Sequence, residues 1–580
     1  MRPGPDSVFM AATSPKSAVM PPEPRAIRVL LATSGWPSGL LDVGSWAARQ
    51  PCVEVVILQI DGEEHGDFVE KLCRWRPHVV GFRVEGEPFE PILAWIQIVR
   101  EVSDAEVVLG GPTATSHPSD LLVWSGADYV FAGEAEETFV QFLELAWRPN
   151  SRDLLPLIPG VAYRYGDFAF HNTLPSDGYG QSILDAGPTD CATSHSCLRN
   201  VVRPLASKEV LAANRLNWSM LEGFERPFDS LYFTGGRGCP GTCSFCARLH
   251  GAQVRIKSAR QLLEEIEQAD ACVADGRLMV TRWPLLAHVD DNSLRSRQVS
   301  WAAVYDEDFF LNIPRALEFF ELWSRSPLNE RYRISLQTNP CSMLTRNGTG
   351  DHLAHPELLD WIDWVKPMVQ LGAESFNPVL LNRWHKRHDL AQLNCVLDAL
   401  DSTHQDYTVF QLLTDFETTP AELIETLRLL IQAAFAHPRM RIASSPLTIP
   451  LYDSDTRKCL EFSGRLPPPK KGSGLFVSGG STGLSQEQRV LTPCSFRDYE
   501  RPHPEWMDPL VADLADLADE RLHWALNLET RDGALSEVMP AVIEHLRRLS
   551  RGDCVQCSEL LAQAQAAGDE IAEARFQLRG

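Results

Sequence analysis

Three cysteines lie within eight positions of one glycine-rich segment, "GCPGTCSFC" (238–246). Thiolates favour zinc or iron–sulfur clusters among metal centres, and the interleaved glycines let the backbone pass close to a bulky ligand. Three thiolates are one ligand short of a closed site, and His250 follows Cys246 by only four residues. The residues alone therefore predict a metal site, and they leave both a zinc site and an iron–sulfur cluster open.

The segment that must position these cysteines, residues 228–455, alternates strand and helix patterns. The short run "SLYFTGG" (230–236) leads into the cysteines, and "SARQLLEEIEQADACVA" (258–274) has the apolar spacing of an amphipathic helix. Five further strand candidates follow, at 300–307, 332–339, 367–375, 407–415 and 439–449. Six strands separated by helices predict a (β/α)-barrel or an open version of one. Residues 276–299 exceed a simple helix–strand connection, so we expect an insertion there.

An earlier segment, residues 25–150, has the pattern of a second parallel sheet. Its strand candidates are short runs rich in Val, Ile and Leu, at 27–33, 53–60, 78–84, 105–111 and 127–133. Amphipathic stretches separate them, which predicts a doubly wound sheet with helices on both faces. Gly110, Gly111 and Gly133 fall at strand ends, where such sheets bind ligands.

The other parts of the chain carry weaker patterns. Residues 1–24 are rich in proline and have no sustained apolar run, which predicts a disordered tail. Residues 151–227 are interpreted as a connecting segment with a small β element at 160–171. Residues 456–580 begin with a Pro/Gly/Ser-rich loop and end in helical patterns, so we expect an accessory, mostly helical region.

Composition excludes several classes of protein. The net charge of −23, from 54 Lys and Arg against 77 Asp and Glu, opposes binding to the phosphate backbone of nucleic acids. No apolar run approaches the roughly 18–20 residues of a membrane span. The 14 cysteines lie in a large chain in which we find no export signal, so they are expected to be reduced thiols in a cytoplasmic protein.

The cysteine spacing, the strand before it and Phe245 ahead of the third cysteine resemble the radical S-adenosylmethionine (radical SAM) family. The resemblance implies that Cys239, Cys243 and Cys246 hold three irons of a 4Fe-4S cluster, with the fourth iron open for S-adenosylmethionine (SAM). It also implies four residues near the bound SAM: Phe245, Asp306 in "VYDEDFF" (304–310), Gln337 in "SLQTN" (335–339) and Glu374 in "VQLGAES" (369–375).

Simpler roles exist for the strand-end residues. Asp306 and Asp308 could cap the next helix at its N-terminus. Gln337 and Asn339 could satisfy the backbone of a loop. The sequence does not separate these roles from contact with SAM.

The first segment resembles the cobalamin-binding module that precedes many radical SAM barrels. The resemblance implies that the Gly-Gly-Pro turn (Gly110, Gly111, Pro112) and the later Gly-Glu turn (Gly133, Glu134) line the cobalamin pocket. The Asp-x-His-x-x-Gly signature, whose histidine ligates cobalt from below, is absent after the first strand, and His65 has the wrong spacing to replace it. Arg83 is a candidate for the lower face of cobalt. The alternative is a Rossmann-like scaffold without a cofactor.

Together the resemblances imply an α/β chain: a doubly wound Rossmann-like cobalamin-binding domain, a partial (β/α)6 TIM-like radical SAM barrel and a mainly helical C-terminal region. The implied activity is SAM cleavage to a 5′-deoxyadenosyl radical and cobalamin-dependent methylation of an unactivated carbon. The implied partners are a small-molecule or peptide substrate and an external one-electron reductant of the flavodoxin or ferredoxin kind. A non-methylating rearrangement or ring contraction, or a cobalamin- or cluster-binding sensor without turnover, remains open.

Several residues stay outside this scheme. Cys554 and Cys557 are interpreted as packing residues of a helix, with a redox or metal role as the alternative. Cys341 and Cys494 fall in loops that could approach the site. The basic run "RWHKRH" (383–388) is expected to start a helix on the barrel rim and to present a solvated face, with a contact to a substrate carboxylate as the alternative.

Overall fold

A computed structural model of the chain describes most of the two predicted sheets and the C-terminal helices. The described residues are 26–60, 66–84, 90–116, 118–146, 155, 158–165, 168–171, 204–284, 298–347, 351–445, 454–456, 476–477, 489–490, 509–523, 528–550 and 555–579. The predictions for residues 1–24 and for His65, Cys494 and Cys554 concern residues outside these ranges, as does the side chain of Cys557.

The N-terminal segment forms the predicted parallel sheet. Its five central strands are β1 (Ile27–Thr33), β2 (Val53–Gln59), β3 (Val79–Arg83), β4 (Glu106–Gly110) and β5 (Tyr129–Phe131). Strand β3 is buried except at Arg83, and β4 is buried at its three central residues, as expected for a sheet covered on both faces. The covering helices are α1 (Ser38–Ala47), α2 (Gly66–Trp75), α3 (Glu90–Val102), α4 (Pro112–Ser116), α5 (Pro118–Ser125) and α6 (Glu136–Ala146).

The connecting segment contributes edge strands to this sheet. The β element predicted at 160–171 is confirmed as an antiparallel hairpin of β6 (Val161–Tyr165) and β7 (Phe168–His171), which pairs with β5. After helix α7 (Lys208–Ala213), strand β8 (Leu221–Glu222) pairs parallel to β2 at the opposite edge. The strand order is β7-β6-β5-β4-β3-β1-β2-β8. A short strand β9 (Phe224–Phe228) then leads to the second sheet.

The second sheet has the six predicted parallel strands. Numbered with the rest of the chain, they are β10 (Ser230–Phe233), β15 (Gln298–Val304), β16 (Tyr332–Thr338), β19 (Met368–Glu374), β20 (Tyr407–Leu412) and β21 (Met440–Ser445), paired in chain order. Within the described residues β21 does not pair with β10, so the structure is a partial barrel. The helices between these strands are α8 (Ala259–Ala274), α9 (Ile313–Arg325), α10 (Pro356–Val365), α11 (Pro378–Arg383), α12 (Leu390–Ser402) and α13 (Pro420–Ala436).

The loops of the barrel contain short paired strands. The cysteine loop begins and ends in the antiparallel pair β11 (Gly236–Arg237) and β12 (Arg255–Ile256). Strands β13 (Leu278–Val280) and β14 (Trp283–Pro284) lie in the predicted insertion and pair with β9 and β15. The remaining pairs are β17 (Leu344–Arg346) with β18 (His352–Ala354), and β22 (Phe476–Val477) with β23 (Arg489–Val490).

Three helices confirm the predicted helical C-terminal region. They are α14 (Pro509–Leu522), α15 (Leu528–Ser550) and α16 (Val555–Arg579). Arg428 of α13 pairs with Glu570 of α16 at 2.9 Å, and Ser444 of β21 donates to Asp519 of α14 at 2.6 Å. The region therefore covers the last strand and helix of the partial barrel. Among the described residues no helix is both long and apolar enough to cross a bilayer.

An aromatic contact joins the two sheets close to the cysteine loop. Trp36, which follows β1, packs edge-on against Phe228 and Tyr232 at ring distances of 5.0 and 5.7 Å. Its indole Nε1 donates to the Tyr232 carbonyl at 2.7 Å. Because Trp36 lies at the carboxyl end of its strand, the ligand-binding edge of the first sheet faces the start of the barrel.

Candidate functional site

The cysteine loop is anchored at its start by Asp306. This carboxylate, at the carboxyl end of β15, accepts hydrogen bonds from the backbone N–H groups of Gly235 (2.6 Å) and Gly236 (2.7 Å). It also pairs with Arg315 at 2.8 Å and is only 3% exposed. The structure thus places Asp306, a predicted SAM neighbour, beneath the loop.

The helix-capping alternative for the two aspartates is wrong. Asn312, not Asp306 or Asp308, accepts the hydrogen bond at the start of α9. Asp308 instead accepts hydrogen bonds from the last residue of β16 and from the turn after it, namely Thr338 Oγ1 at 2.8 Å and Ser342 Oγ at 2.6 Å. Both acids organise the mouth of the barrel.

Inside the loop, backbone contacts hold the three cysteines at one opening. The N–H of Cys239 donates to the Gly251 carbonyl at 3.1 Å, and the N–H of Cys246 donates to the Cys243 carbonyl at 3.2 Å. Gly238 adopts a φ of +91°, and a Cβ there would lie 2.2 Å from the Gln253 carbonyl oxygen, so only glycine fits. All three thiols are free and partly exposed.

The residues present fit an iron–sulfur cluster. A Cβ built on Gly241 would lie 3.2 Å from the Cys239 sulfur and 3.9 Å from the Cys243 sulfur, so glycine leaves the space between the thiols open. Among the described residues, no three metal-ligating side chains converge as they would on a single ion. A cluster, in which each thiolate holds a different iron, suits this spread better than zinc. Burial raises the pKa of the Cys239 and Cys246 thiols, so a bound metal must supply the charge that keeps them ionised.

The basic run 383–388 packs against the loop. It begins at the last residue of α11 instead of starting a helix, and the expectation of a solvated face is wrong for part of it. Trp384 is buried and packs edge-on against Phe245 at 6.1 Å. The Lys386 side chain is 3% exposed, and its Nζ lies 5.9 Å from the centre of the Phe245 ring. His385 and Arg387 are exposed, as expected. Tertiary packing overrides the charge pattern because the chain after α11 folds back over the cysteine loop, where the Ser244 N–H donates to the Trp384 carbonyl at 3.1 Å.

Glu374 ends β19 in a left-handed conformation with φ of +66°. Such a conformation is costly for a residue with a Cβ and is concentrated at functional sites. The register between β19 and β20 shifts between Leu371 and Glu374, which turns the chain at this point. Glu374 Oε1 lies 3.4 Å from Lys386 Nζ, and a Cβ on Gly372 would lie only 3.1 Å from the same oxygen, so glycine makes room for the carboxylate. This carboxylate therefore faces the same opening as Phe245.

Gln337 and Asn339 lie on and after the neighbouring strand β16. Gln337 is partly exposed and alternates with the buried Leu336 and Thr338, so it points away from the helices. Asn339 donates to Asp308 at 3.2 Å, and its Oδ1 lies 3.4 Å from Lys386. Cys341 follows in the next turn and shares Arg387 with Cys239 as a charged neighbour.

A cavity of about 220 Å³, open to solvent, lies at the carboxyl edge of the first sheet. Its walls include all five residues predicted for cobalamin: Gly110, Gly111, Pro112, Gly133 and Glu134. Gly111 (φ +112°) and Gly133 (φ +81°) approach other backbone so closely that a Cβ would lie 2.8 Å or less from a carbonyl oxygen. A Cβ on Gly110 would meet nothing within 4 Å, so this glycine keeps the cavity itself open.

The walls of the cavity test whether it suits a corrin. They combine the open space at Gly110 with the polar side chains of Thr234 and His250. Hydroxyl and imidazole groups can exchange hydrogen bonds with the amide side chains around a corrin ring. Arg83 lines the same cavity, where its guanidinium donates to the Trp36 carbonyl at 2.6 Å. The described residues fit cobalamin.

Glu134 is engaged by the cysteine-loop segment rather than left free for a ligand. Arg255 binds both of its oxygens, at 2.6 and 2.8 Å, and Arg237 binds one at 3.0 Å. His250 Nδ1 lies 2.8 Å from Glu134 Oε1. Burial alone would raise the pKa of Glu134, but its bonds to His250 and Arg255 and the charge of Arg237 hold it well below the usual range. Sequence reasoning missed both arginines, which carry no motif.

The cavity is shared by both sheets. Besides the strand ends of the first sheet, its walls include Thr234, Arg237 and His250 from the segment around the cysteines. A ligand in this cavity therefore lies beside the loop that carries the triplet.

Comparisons with known proteins agree with this geometry. Residues 29–143 match the family model described as a B12 binding domain. The hopanoid C-3 methylase of Methylococcus capsulatus is 25% identical over 243 residues, which cover 39% of this chain and 39% of that protein. The chain thus matches well under half of the length of this curated relative.

Two solved structures share the fold over most of the chain. The radical SAM methyltransferase TsrM from Kitasatospora setae, solved with cobalamin and a [4Fe-4S] cluster, superposes with a TM-score of 0.52 at 17% identity, over 82% of this chain and 80% of that one. The cobalamin-dependent SAM radical enzyme OxsB, solved with aqua-cobalamin, gives 0.57 at 12% identity, over 95% and 80%. The chain has a B12-binding domain at its N-terminus and the fold of the cobalamin-dependent radical SAM enzymes.

Proposed function

We propose that the protein is a cobalamin-dependent radical SAM enzyme that methylates an unactivated carbon of a small-molecule or peptide substrate. The observation that carries the proposal is the shared cavity, in which the glycine turns of the B12-binding domain face the segment that bears Cys239, Cys243 and Cys246. A corrin placed there would lie next to a cluster held by the three thiols. The names of TsrM and the hopanoid methylase, both methyl-transferring proteins, support methylation as the reaction.

The residues of the chain have distinct roles in this proposal. When bound, the cluster, SAM and cobalamin supply the electron, the radical and the methyl group. Cys239, Cys243 and Cys246 would hold the cluster, and the turn anchored by Asp306 fixes the start of their loop. Phe245 and Glu374 face the opening beside the cysteines, where the Glu374 carboxylate would attract a cationic SAM by charge and hydrogen bonding.

Polar side chains at the mouth of the barrel hold one another in place beside the opening. Asp308 fixes Asn339, and Asn339 and Glu374 together hold the buried ammonium of Lys386. Gln337 projects from the neighbouring strand as a neutral hydrogen-bonding group. Phe245 of the loop packs edge-on against the buried Trp384, which places two aromatic side chains beside the cluster position. The electron comes from an external one-electron reductant.

Product analysis under anaerobic conditions tests the proposal. Protein reconstituted with iron, sulfide and hydroxocobalamin is incubated with SAM, a strong reductant and candidate substrates. Methyl transfer predicts 5′-deoxyadenosine and S-adenosylhomocysteine together with a methylated product. Formation of 5′-deoxyadenosine without S-adenosylhomocysteine supports a non-methylating rearrangement instead. Absence of both products, with all cofactors bound, supports a sensor without turnover.

A further inference from the structure

Glu134 lies between the corrin cavity and the cysteine loop and binds the loop at its neck. The three cysteines fall in the connection between β11 and β12, which pair antiparallel with Arg237 opposite Arg255. Both arginines, one on each strand, bind the Glu134 carboxylate. The whole cysteine-bearing connection is therefore fastened at its base to one residue of the B12-binding domain.

The contacts around this carboxylate are almost fully desolvated. The side chains of Glu134, Arg237 and Arg255 are 4%, 6% and 2% exposed. Arg237 extends the contact to Asp42 at 3.0 Å and Glu136 at 2.7 Å, two further residues of the cavity wall. Pairs this deeply buried weaken little with salt and hold one geometry.

Hydrogen bonds to the backbone of residues 204–206 also link Glu134 to Arg255. The N–H of Glu134 donates to the Pro204 carbonyl at 2.9 Å, and one carboxylate oxygen of Glu134 accepts from the Ala206 N–H at 2.9 Å. Arg255 in turn donates to the Ala206 carbonyl at 2.7 Å. A shift of the Gly133–Glu134 turn in the cavity wall must therefore move Arg255 and the end of the cysteine loop.

We propose that Glu134 is a positioning residue that couples cobalamin binding to the cysteine loop. Glu134, Arg237, Arg255 and His250 form this interdomain clamp. A ligand that fixes the cavity wall fixes the neck of the loop, and a cluster that orders the loop fixes the cavity wall. By linkage, each cofactor then raises the affinity of the protein for the other by the same factor. The inference depends on the proposed function, since it needs both cofactors.

The test measures the dissociation constant of hydroxocobalamin for the full chain before and after cluster reconstitution, by absorbance after anaerobic ultrafiltration. For the wild-type protein we expect tighter binding after reconstitution, by a factor within about 5–150. In Glu134→Gln, which keeps the shape but not the charge, this factor should fall to about one. The electron paramagnetic resonance spectrum of the reduced cluster should change on addition of cobalamin in the wild type but not in Glu134→Gln.

Asp406→Asn is the matched control. Asp406 is a buried carboxylate that pairs with Arg441 at 2.5 Å, at the opposite ends of the barrel strands, and its replacement should leave the coupling factor unchanged. His250→Gln removes only the half-exposed member of the clamp, and it should lower the factor without loss of folding. If Glu134→Gln fails to fold, the coupling factor measured for His250→Gln alone tests the proposal.

The outcomes for this inference and for the proposed function differ. Wild-type protein that binds no cobalamin or no cluster overturns the proposed function. Wild-type protein that binds both with no change in affinity overturns the coupling. A factor that stays at its wild-type value in Glu134→Gln, or in His250→Gln if that variant must decide, also overturns it.

Discussion

Replacing Asp306 by asparagine should destabilise the cysteine loop although no cysteine is changed. The Asp306 carboxylate accepts two backbone N–H groups at 2.6 and 2.7 Å and pairs with Arg315 at 2.8 Å in a site that is 3% exposed. Removing one partner of such a buried pair leaves the other charge uncompensated, which costs about 3–5 kcal/mol. Arg315 cannot reach water, because its own side chain is buried against Phe309 and the Lys257 carbonyl.

The assay compares denaturant unfolding and the cluster absorbance of anaerobically reconstituted protein. We expect Asp306→Asn to lower both the unfolding midpoint and the iron content. Glu307→Gln is the control, because the next residue is partly exposed, and its replacement should change the free energy of unfolding by less than about 0.5 kcal/mol. An Asp306→Asn protein that keeps its stability and its cluster but binds SAM weakly would refute the positioning role and support direct contact with SAM.

Three further predictions concern the cavity, the SAM opening and the core. Gly110→Val should weaken cobalamin binding in a titration but leave the unfolding midpoint unchanged, because a Cβ at this position meets only open space. An unchanged affinity for cobalamin would show that cobalamin binds elsewhere. Lys386→Met should weaken SAM binding roughly tenfold, which corresponds to about 1.4 kcal/mol, because the Lys386 ammonium holds the Glu374 carboxylate in place. The iron content should stay constant, and equal SAM affinity of variant and wild type in equilibrium dialysis would contradict this prediction. Burial lowers the pKa of His388 to about 3 from its usual value near 6.5. Wild-type stability should therefore fall relative to His388→Gln by about 1.4 kcal/mol per pH unit from pH 6.5 down to about 3, and parallel pH profiles in urea unfolding would exclude the shift.

The strands of both sheets could be predicted from the sequence because their apolar runs are buried on both faces. β3 and β4, for example, read as continuous runs of Val, Leu, Gly and Phe, and the structure buries nearly all of them. The glycine turns at Gly110–Gly111 and Gly133 could be predicted because they come at the carboxyl ends of these strands, which is the edge where such sheets bind ligands.

The partners of the site residues could not be predicted, because they come from distant parts of the chain. Asp306 was expected beside SAM, and only the fold shows that it faces Gly235 and Gly236, which lie 71 and 70 residues away in sequence. Lys386 lies in a run of charges that has the pattern of a solvated face. Its burial depends on how the segment after β19 folds over Phe245, a tertiary contact with no local signal.

The interdomain clamp could be predicted from the sequence even less than the burial of Lys386. Arg237 and Arg255 look like ordinary loop residues in the sequence, and Glu134 looked like a cobalamin contact. Pairing of β11 with β12 places the two arginines opposite each other, and packing of the two sheets brings Glu134 to both. Such a cluster depends on topology and not on spacing.

Cofactor content shows whether the chain holds a cluster on the three cysteines and a corrin beside it. The full chain is purified without oxygen, reconstituted, and assayed for iron, sulfide and cobalt, beside the matched variant Cys243→Ala. We expect a 4Fe-4S cluster and one cobalamin per wild-type chain, with SAM cleaved to 5′-deoxyadenosine under strong reductant, and loss of cluster absorbance and cleavage in the variant. Cluster absorbance that persists in Cys243→Ala, or wild-type protein that retains no cobalt, would contradict the account.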